Sequence, residues 1–113
     1  AGWCSPCAEE AATLPGLETT YGAENLAILQ LLVDGTTQNS DVTTAIVQNW
    51  QDDNMGGAAL AGGSLAPTWN NFITLDDAGQ FYIPFSVVID GATMEIKALG
   101  DTIDEAAIQA LMP

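Results

Sequence analysis

The stretch AGWCSPCAEE, residues 1–10, guides the interpretation of the whole sequence, because it holds the only two cysteines of the chain. Cys4 and Cys7 are separated by two residues. Pro6 lies between them and suits the first turn of a helix, where its missing N–H costs nothing. The Ala- and Glu-rich residues that follow have helical spacing. The pattern therefore predicts a Cys-x-x-Cys motif at the start of a helix.

Composition and charge limit the classes of protein to which this chain can belong. Its 113 residues suit one small α/β or α+β domain, and its 48% apolar content is enough for a buried core. Fifteen acidic residues face a single basic one, Lys97, giving a net charge of −14. Nucleic acids and anionic membranes both need Lys and Arg, so neither is an expected partner. The sequence has no apolar run long enough to span a membrane and no signal-peptide pattern.

The first half of the chain predicts alternating helices and a strand. The opening helix should be interrupted at Pro15 and Gly16 and should end at Gly22. Residues 25–34 form a short, nearly continuous apolar run, which is typical of a strand buried on both faces. A helix capped by Ser40 or Asp41 should follow and reach about residue 53, with Val42, Ile46 and Trp50 on one stripe.

The second half predicts a loop, two strands and a last helix. Residues 55–67 are rich in Gly and Ala and indicate a flexible loop, while residues 68–80 fit a short helix with or without a following turn. A strand should begin at about Phe85, just after Pro84. Asp90-Gly91 predicts a turn into a second strand over residues 93–99. Thr102 and Glu105 have the spacing of a capping box for the last helix.

This order of elements, together with three local matches, resembles the thioredoxin superfamily. The matches are the motif Trp3-Cys4-Ser5-Pro6-Cys7 with Glu10 after it, the strand ending in LLVDG, and Ile83-Pro84-Phe85 leading into SVVID. The likeness spans essentially the whole chain and is closest to the TlpA/ResA-type thiol–disulfide reductases of bacterial cell envelopes. It implies a thioredoxin-like α/β fold, with a mixed central sheet and flanking helices, over residues 1–113 as a single domain.

The resemblance also implies a thiol–disulfide oxidoreductase that exchanges or reduces protein disulfides. A thiolate is the species that attacks a disulfide, and a helix N-terminus favours the anion, so Cys4 is expected as the nucleophile and Cys7 as the resolving thiol. The Ile83–Pro84 peptide is expected to be cis and to lie beside the cysteines, with the Ile83 backbone pairing with substrate. The expected substrate-binding residues are Trp3, Ser5, Pro6, Ile83 and Pro84.

The chain departs from the family pattern in four places. Ala8 stands where the family usually has a basic residue, Pro15 falls three residues late, and Phe85 replaces the usual threonine. The buried strand that normally precedes the motif is not in this sequence, and with it goes the family's buried acidic residue. Because the neighbouring strands would otherwise leave backbone groups unpaired, we expect a further strand, supplied upstream or by another chain.

Several other interpretations remain open from the sequence. A zinc site is weakly indicated, because two thiolates without histidine leave the ion short of ligands. A purely structural disulfide across so short a loop would give little entropic stabilisation. The main alternative is a redox-inactive thioredoxin-like module that serves binding or assembly. No cofactor and no metal are expected.

Partners and location follow from the same reasoning. The expected partners are a protein disulfide or dithiol substrate and a thiol-reducing partner protein. The acidity of the chain favours neutral or basic target surfaces. The family likeness and the near-absence of Lys and Arg favour a bacterial cell envelope, periplasmic or extracytoplasmic, or secretion.

Overall fold

A computed structural model of the protein describes residues 1–56, 60–63 and 82–113. In this part of the chain the protein is a mixed α/β structure with small sheets and helices. The elements are α1 (Ser5–Ala11), α2 (Leu14–Tyr21), β1 (Leu29–Leu32), α3 (Thr44–Asn54), β2 (Leu60–Gly63), β3 (Ser86–Ile89), β4 (Ile96–Gly100) and α4 (Glu105–Leu111).

The first two helices are separated by a short break. The predicted helix start at the cysteine motif is confirmed, since Cys4 is the N-cap of α1 and Pro6 lies in its first turn. The opening helical segment is interrupted, as predicted, but at Ala12 and Thr13 rather than at Pro15 and Gly16, because α1 ends at Ala11 and Pro15 lies in the first turn of α2. A proline is tolerated there because that N–H would be unpaired in any case. Gly22 ends α2 with a φ of +81°, as predicted.

The third helix begins later than the sequence suggested. Thr43, not Ser40 or Asp41, is the N-cap of α3, and its hydroxyl oxygen accepts the Ile46 N–H at 3.3 Å. Ser40 instead closes the preceding loop, donating its hydroxyl to the Thr37 carbonyl at 2.6 Å. Trp50 is the buried residue of this helix, and its indole N–H donates to the Gln30 side-chain oxygen at 2.6 Å. This contact joins α3 to β1.

Strand β2 lies in the stretch predicted to be a loop, so that prediction is wrong for residues 60–63. β2 pairs in parallel with β1, with Gln30 opposite Ala61 and Leu32 opposite Gly63. A Cβ added to Gly63 would lie 3.1 Å from a Val42 methyl group, so the small residues of β2 let the chain around α3 pack closely on it. Residues 57–59 and 64–67 of the predicted loop lie outside the described residues, as do the elements predicted over 68–80.

Strands β3 and β4 form an antiparallel hairpin, as predicted from the turn signal at Asp90-Gly91. Val87 pairs with Leu99 and Ile89 with Ile96, and the register shifts between Val88 and Ile89. The Asp90 carboxylate accepts the Ala92 N–H at 2.8 Å and so organises the turn. That hydrogen bond, followed by one from the Thr93 hydroxyl, lowers the pKa of Asp90.

The last helix is capped differently from the prediction. Asp104 is the N-cap of α4, accepting the Ala107 N–H at 2.9 Å, so the predicted capping box of Thr102 and Glu105 does not form. The Thr102 carbonyl instead accepts the Ser86 hydroxyl, which ties the start of β3 to the segment before α4. Ile108 is the residue that this helix buries.

The single mixed sheet expected from the sequence is not formed among the described residues. They contain two separate two-stranded sheets, one parallel (β1–β2) and one antiparallel (β3–β4), with no strand joining them. The strand predicted over residues 25–34 is shorter than expected, and Leu29 at its start is 61% exposed. The buried core of the described residues combines Leu32 of β1 with residues in or next to the helices: Ala1, Cys4, Cys7, Ala11, Leu14, Leu17, Trp50, Met55 and Ile108.

Candidate functional site

The two cysteines form a disulfide at the beginning of α1. Cys4 has extended backbone geometry as the N-cap, and its sulfur accepts the Cys7 N–H at 3.2 Å. The two Cα atoms are 5.2 Å apart. Cys4 is 5% exposed and Cys7 4%, so the two residues are almost equally buried. Both belong to the buried core.

The cysteines differ instead in what they face. An open cavity of about 380 Å³ lies beside the motif, and Cys4 lines it whereas Cys7 is not among its described lining residues. One wall comes from the start of the chain and the first turns of α1, namely Gly2, Trp3, Cys4, Ser5 and Ala8. The other lining residues come mainly from α3, with one from the loop after β1: Thr36, Ile46, Asn49, Trp50, Asp53 and Asn54.

Asp34 holds the segment that carries the cysteine motif. The Trp3 indole N–H donates to Asp34 Oδ2 at 3.2 Å, and the same oxygen accepts the Asn39 N–H at 3.2 Å. The Gly2 N–H donates to the Asp34 carbonyl, also at 3.2 Å. Trp3 is thereby fixed at the cavity while remaining 42% exposed. The sequence indicated Asp34 only as the end of a strand, and nothing in its pattern pointed to this anchoring role.

Two glycines allow the N-terminal segment and the loop after β1 to approach closely. A Cβ on Gly2 would lie 2.7 Å from the Gly35 carbonyl oxygen. A Cβ on Gly35 would meet the Asp41 carbonyl oxygen and lie 2.6 Å from Ser40 Oγ. Neither position has room for a side chain, so both glycines are needed where the loop closes against the motif.

The predicted substrate-binding residues are not all brought to the cavity. Trp3 and Ser5 line it, whereas Pro6, Ile83 and Pro84 are not among its described lining residues. The Ile83–Pro84 peptide is cis, as predicted. Ile83 is half-buried and packs against the core cluster that contains Cys4 and Cys7.

The charged side chains described around the motif are acidic. Asp53 is exposed and is the one charged side chain among the described residues that line the cavity. Glu10, on α1, is half-buried; burial raises its pKa and the Asp101 charge adds to the shift, while the nearby Ile103 N–H partly offsets it. Sequence reasoning did not assign the face of α3 to the site, although its 46, 49, 50, 53 spacing is that of one helical face.

The described part of the chain has neither a cluster of metal-ligating side chains nor a membrane-spanning helix. It contains no group of three or more His, Cys, Asp or Glu side chains placed to hold a metal ion. None of its helices is long and apolar enough to cross a membrane.

Comparisons with protein-family models, with curated proteins and with solved structures found no match to this chain.

Proposed function

We propose that this protein is a thiol–disulfide oxidoreductase with a thioredoxin-like fold, in which Cys4 is the nucleophile and Cys7 the resolving thiol. The observation that carries the proposal is the asymmetry of the pair. Cys4 lines an open cavity and its sulfur accepts the Cys7 N–H, whereas Cys7 is not among the described residues that line this cavity. A donor aimed at the Cys4 sulfur favours its thiolate, which is the reactive form.

The proposed reaction needs no cofactor. In the dithiol form, the Cys4 thiolate attacks one sulfur of the partner disulfide, the partner S–S bond breaks, and the leaving sulfur takes the electron pair and a proton. The Cys7 thiolate then attacks the Cys4 sulfur of the mixed disulfide and releases the second partner thiol. The partner gains two electrons, and the Cys4–Cys7 disulfide forms. A thiol-reducing partner protein would return it to the dithiol.

The thioredoxin-like arrangement is part of the same proposal. It accounts for the helix that starts at the motif, the cis peptide before Pro84 and the β3–β4 hairpin followed by α4. In this arrangement, a further strand between β1 and β3 would join the parallel β1–β2 pair and the antiparallel β3–β4 pair into one sheet. A location in the bacterial cell envelope or outside the cell belongs to this proposal too, and rests on the sequence resemblance and the near-absence of Lys and Arg.

Trapping of the mixed disulfide tests the proposed roles. In Cys7→Ser the resolving step is removed, so incubation of the reduced variant with a small disulfide should accumulate a stable adduct on Cys4. In Cys4→Ser the remaining thiol is packed in the core and should form the adduct at least tenfold more slowly. Intact-mass spectrometry without reductant measures both. Equal adduct formation, or faster reaction of Cys4→Ser, would contradict the assignment.

A redox-inactive binding module is the second candidate, and the burial of both cysteines favours it. In that case the disulfide is a static part of the core. The native protein would then keep its disulfide in a glutathione redox buffer that reduces exposed cysteine pairs, and the wild-type dithiol would react with disulfides no faster than an unfolded peptide containing the motif.

A further inference from the structure

We propose that the cavity beside Cys4 selects partner segments that carry a positive charge close to their disulfide, and that Asp53 on α3 provides this selectivity. The inference rests on the proposed oxidoreductase function, because it assigns a substrate class to the same site. The occupant it names is a peptide segment with Lys or Arg next to the cysteine that Cys4 attacks.

The first argument is position. Ile46, Asn49, Trp50 and Asp53 follow one another at helical spacing, so one face of α3 lines the same cavity as Cys4. A partner residue that flanks the attacked sulfur and enters this cavity can therefore contact this face. Asp53 is near the last turn of the helix and exposed, so its carboxylate is open to a partner side chain that enters the cavity.

The second argument is charge. Asp53 is not balanced by any cation among the described lining residues, and the single basic residue of the whole chain, Lys97, pairs with Glu95 at 2.6 Å on the hairpin. The net charge of −14 repels acidic partners during approach, over roughly a Debye length of 10 Å. A basic segment is attracted both by this field and by the local carboxylate.

The third argument is the apolar part of the cavity. Ile46 and the buried Trp50 provide apolar surface beside Asp53, and Trp3 is a partly exposed indole on the other wall. Long basic side chains bury their methylene stems on such a surface while the charged end reaches a carboxylate. An indole face adds a further attraction for Lys or Arg. A neutral or acidic flanking residue would gain at most the contact with the apolar surface and no attraction to the carboxylate.

Small disulfides of known charge test the selectivity. The reduced protein would be reacted at low ionic strength with cystamine, which carries an ammonium on each arm, and with the neutral bis(2-hydroxyethyl) disulfide. The ratio of the two second-order rate constants measures the preference, and its change between variants cancels the intrinsic reactivity of each reagent. Asp53→Asn should lower the cationic-to-neutral ratio roughly fivefold, the factor expected from one charge a few ångströms away in a solvated site.

The matched control is Asp52→Asn. Asp52 is the exposed neighbour of Asp53 on the same helix, and its replacement removes the same charge, but it is not among the described residues that line the cavity. Asp52→Asn should change the logarithm of the cationic-to-neutral rate ratio by less than half as much as Asp53→Asn does. Equal effects of the two variants would show that overall charge alone sets the preference, and an unchanged ratio in Asp53→Asn would show that the carboxylate sets none.

The outcomes also separate this inference from the proposed function. Reaction of the wild-type dithiol with the neutral disulfide, without a ratio change in Asp53→Asn, overturns the selectivity and leaves the oxidoreductase proposal standing. Failure of the dithiol to react with either reagent overturns both.

Discussion

The difference in stability between the disulfide and dithiol forms is a quantitative test of what the Cys4–Cys7 bond does. The perturbation is reduction itself, since it breaks one bond and leaves every other contact of the chain available. The bond closes a loop of four residues, with a sequence separation of 3. For so short a loop, the chain-entropy relation gives a stabilisation of about 1.9 kcal/mol through restriction of the unfolded chain.

A second effect stabilises the reduced form and partly offsets the advantage of the disulfide. The Cys7 N–H that points at the Cys4 sulfur, together with the first turn of α1, stabilises a thiolate by about 0.5–1 kcal/mol. The disulfide form should therefore be the more stable by about 1 kcal/mol at a pH above the ordinary cysteine pKa of about 8.5, where the thiolate forms in both the folded and the unfolded chain. By thermodynamic linkage, this stability difference corresponds to a reduction potential about 20 mV below that of the same motif in an unfolded peptide. Such a difference is small enough for the pair to exchange in either direction.

Urea unfolding of the two forms, followed by circular dichroism, measures the difference. The double variant Cys4→Ser/Cys7→Ser is the control, because it should unfold at the same midpoint with and without reductant. A dithiol form that is more stable than the disulfide form would refute the entropic account. A disulfide advantage of more than about 3 kcal/mol would refute the compensation by the thiolate and would favour a static structural bond.

Three further predictions concern positions around the site and at the hairpin turn. Glu10→Gln should raise the urea midpoint at pH 7 but not at a pH below the ordinary glutamate pKa of 4.5, because burial raises the pKa of Glu10 in the folded state and its ionised form is the destabilising one. The control is Glu9→Gln, at an exposed neighbour on the same helix, and an equal gain from Glu10→Gln at both pH values would contradict this reasoning. Gly35→Ala should destabilise the fold by about 1–3 kcal/mol in chemical denaturation, because the added Cβ has no room. Gly16→Ala, in a helix with open space around it, should stabilise the fold by about 0.5–1 kcal/mol, and stability changes of the same sign in the two variants would refute the packing argument. Met94→Gly should raise the thermal midpoint, by a gain of about 0.5–1 kcal/mol, because Met94 is 73% exposed and has a φ of +60°; a lowered midpoint would show that its side chain packs.

Local patterns in the sequence predicted those parts of the fold that short-range chemistry decides. The cysteine motif at the start of α1, the end of α2 at Gly22 and the turn between β3 and β4 each depend on a few adjacent residues. Caps were less predictable, because several neighbouring residues can fill the same role. Thr43 caps α3 because Ser40 is already engaged in the preceding loop, and only the folded chain shows that competition.

Strand β2 shows why the Gly- and Ala-rich stretch was misinterpreted. Small residues without periodicity are typical of a loop when only local preferences are considered. Here they pair with β1 and give the chain around Val42 room to approach, so long-range packing decides the structure. The same limit applies to the candidate site. Cys4 and Trp3 were found because the motif is local, whereas Asn49 and Asp53 belong to the cavity only because α3 packs against α1.

Under the proposed function, the position of α3 gives the protein a means of selecting its partners. An attacking thiolate is a general reagent for disulfides, so selectivity must come from the surface around it. The cavity wall on the motif side is short and contributes Trp3 and Ser5, while α3 contributes a longer face that ends in a carboxylate. Reactivity and choice of partner are thus assigned to different elements. Substitutions on the exposed part of α3 should alter which disulfides react without changing the chemistry at Cys4.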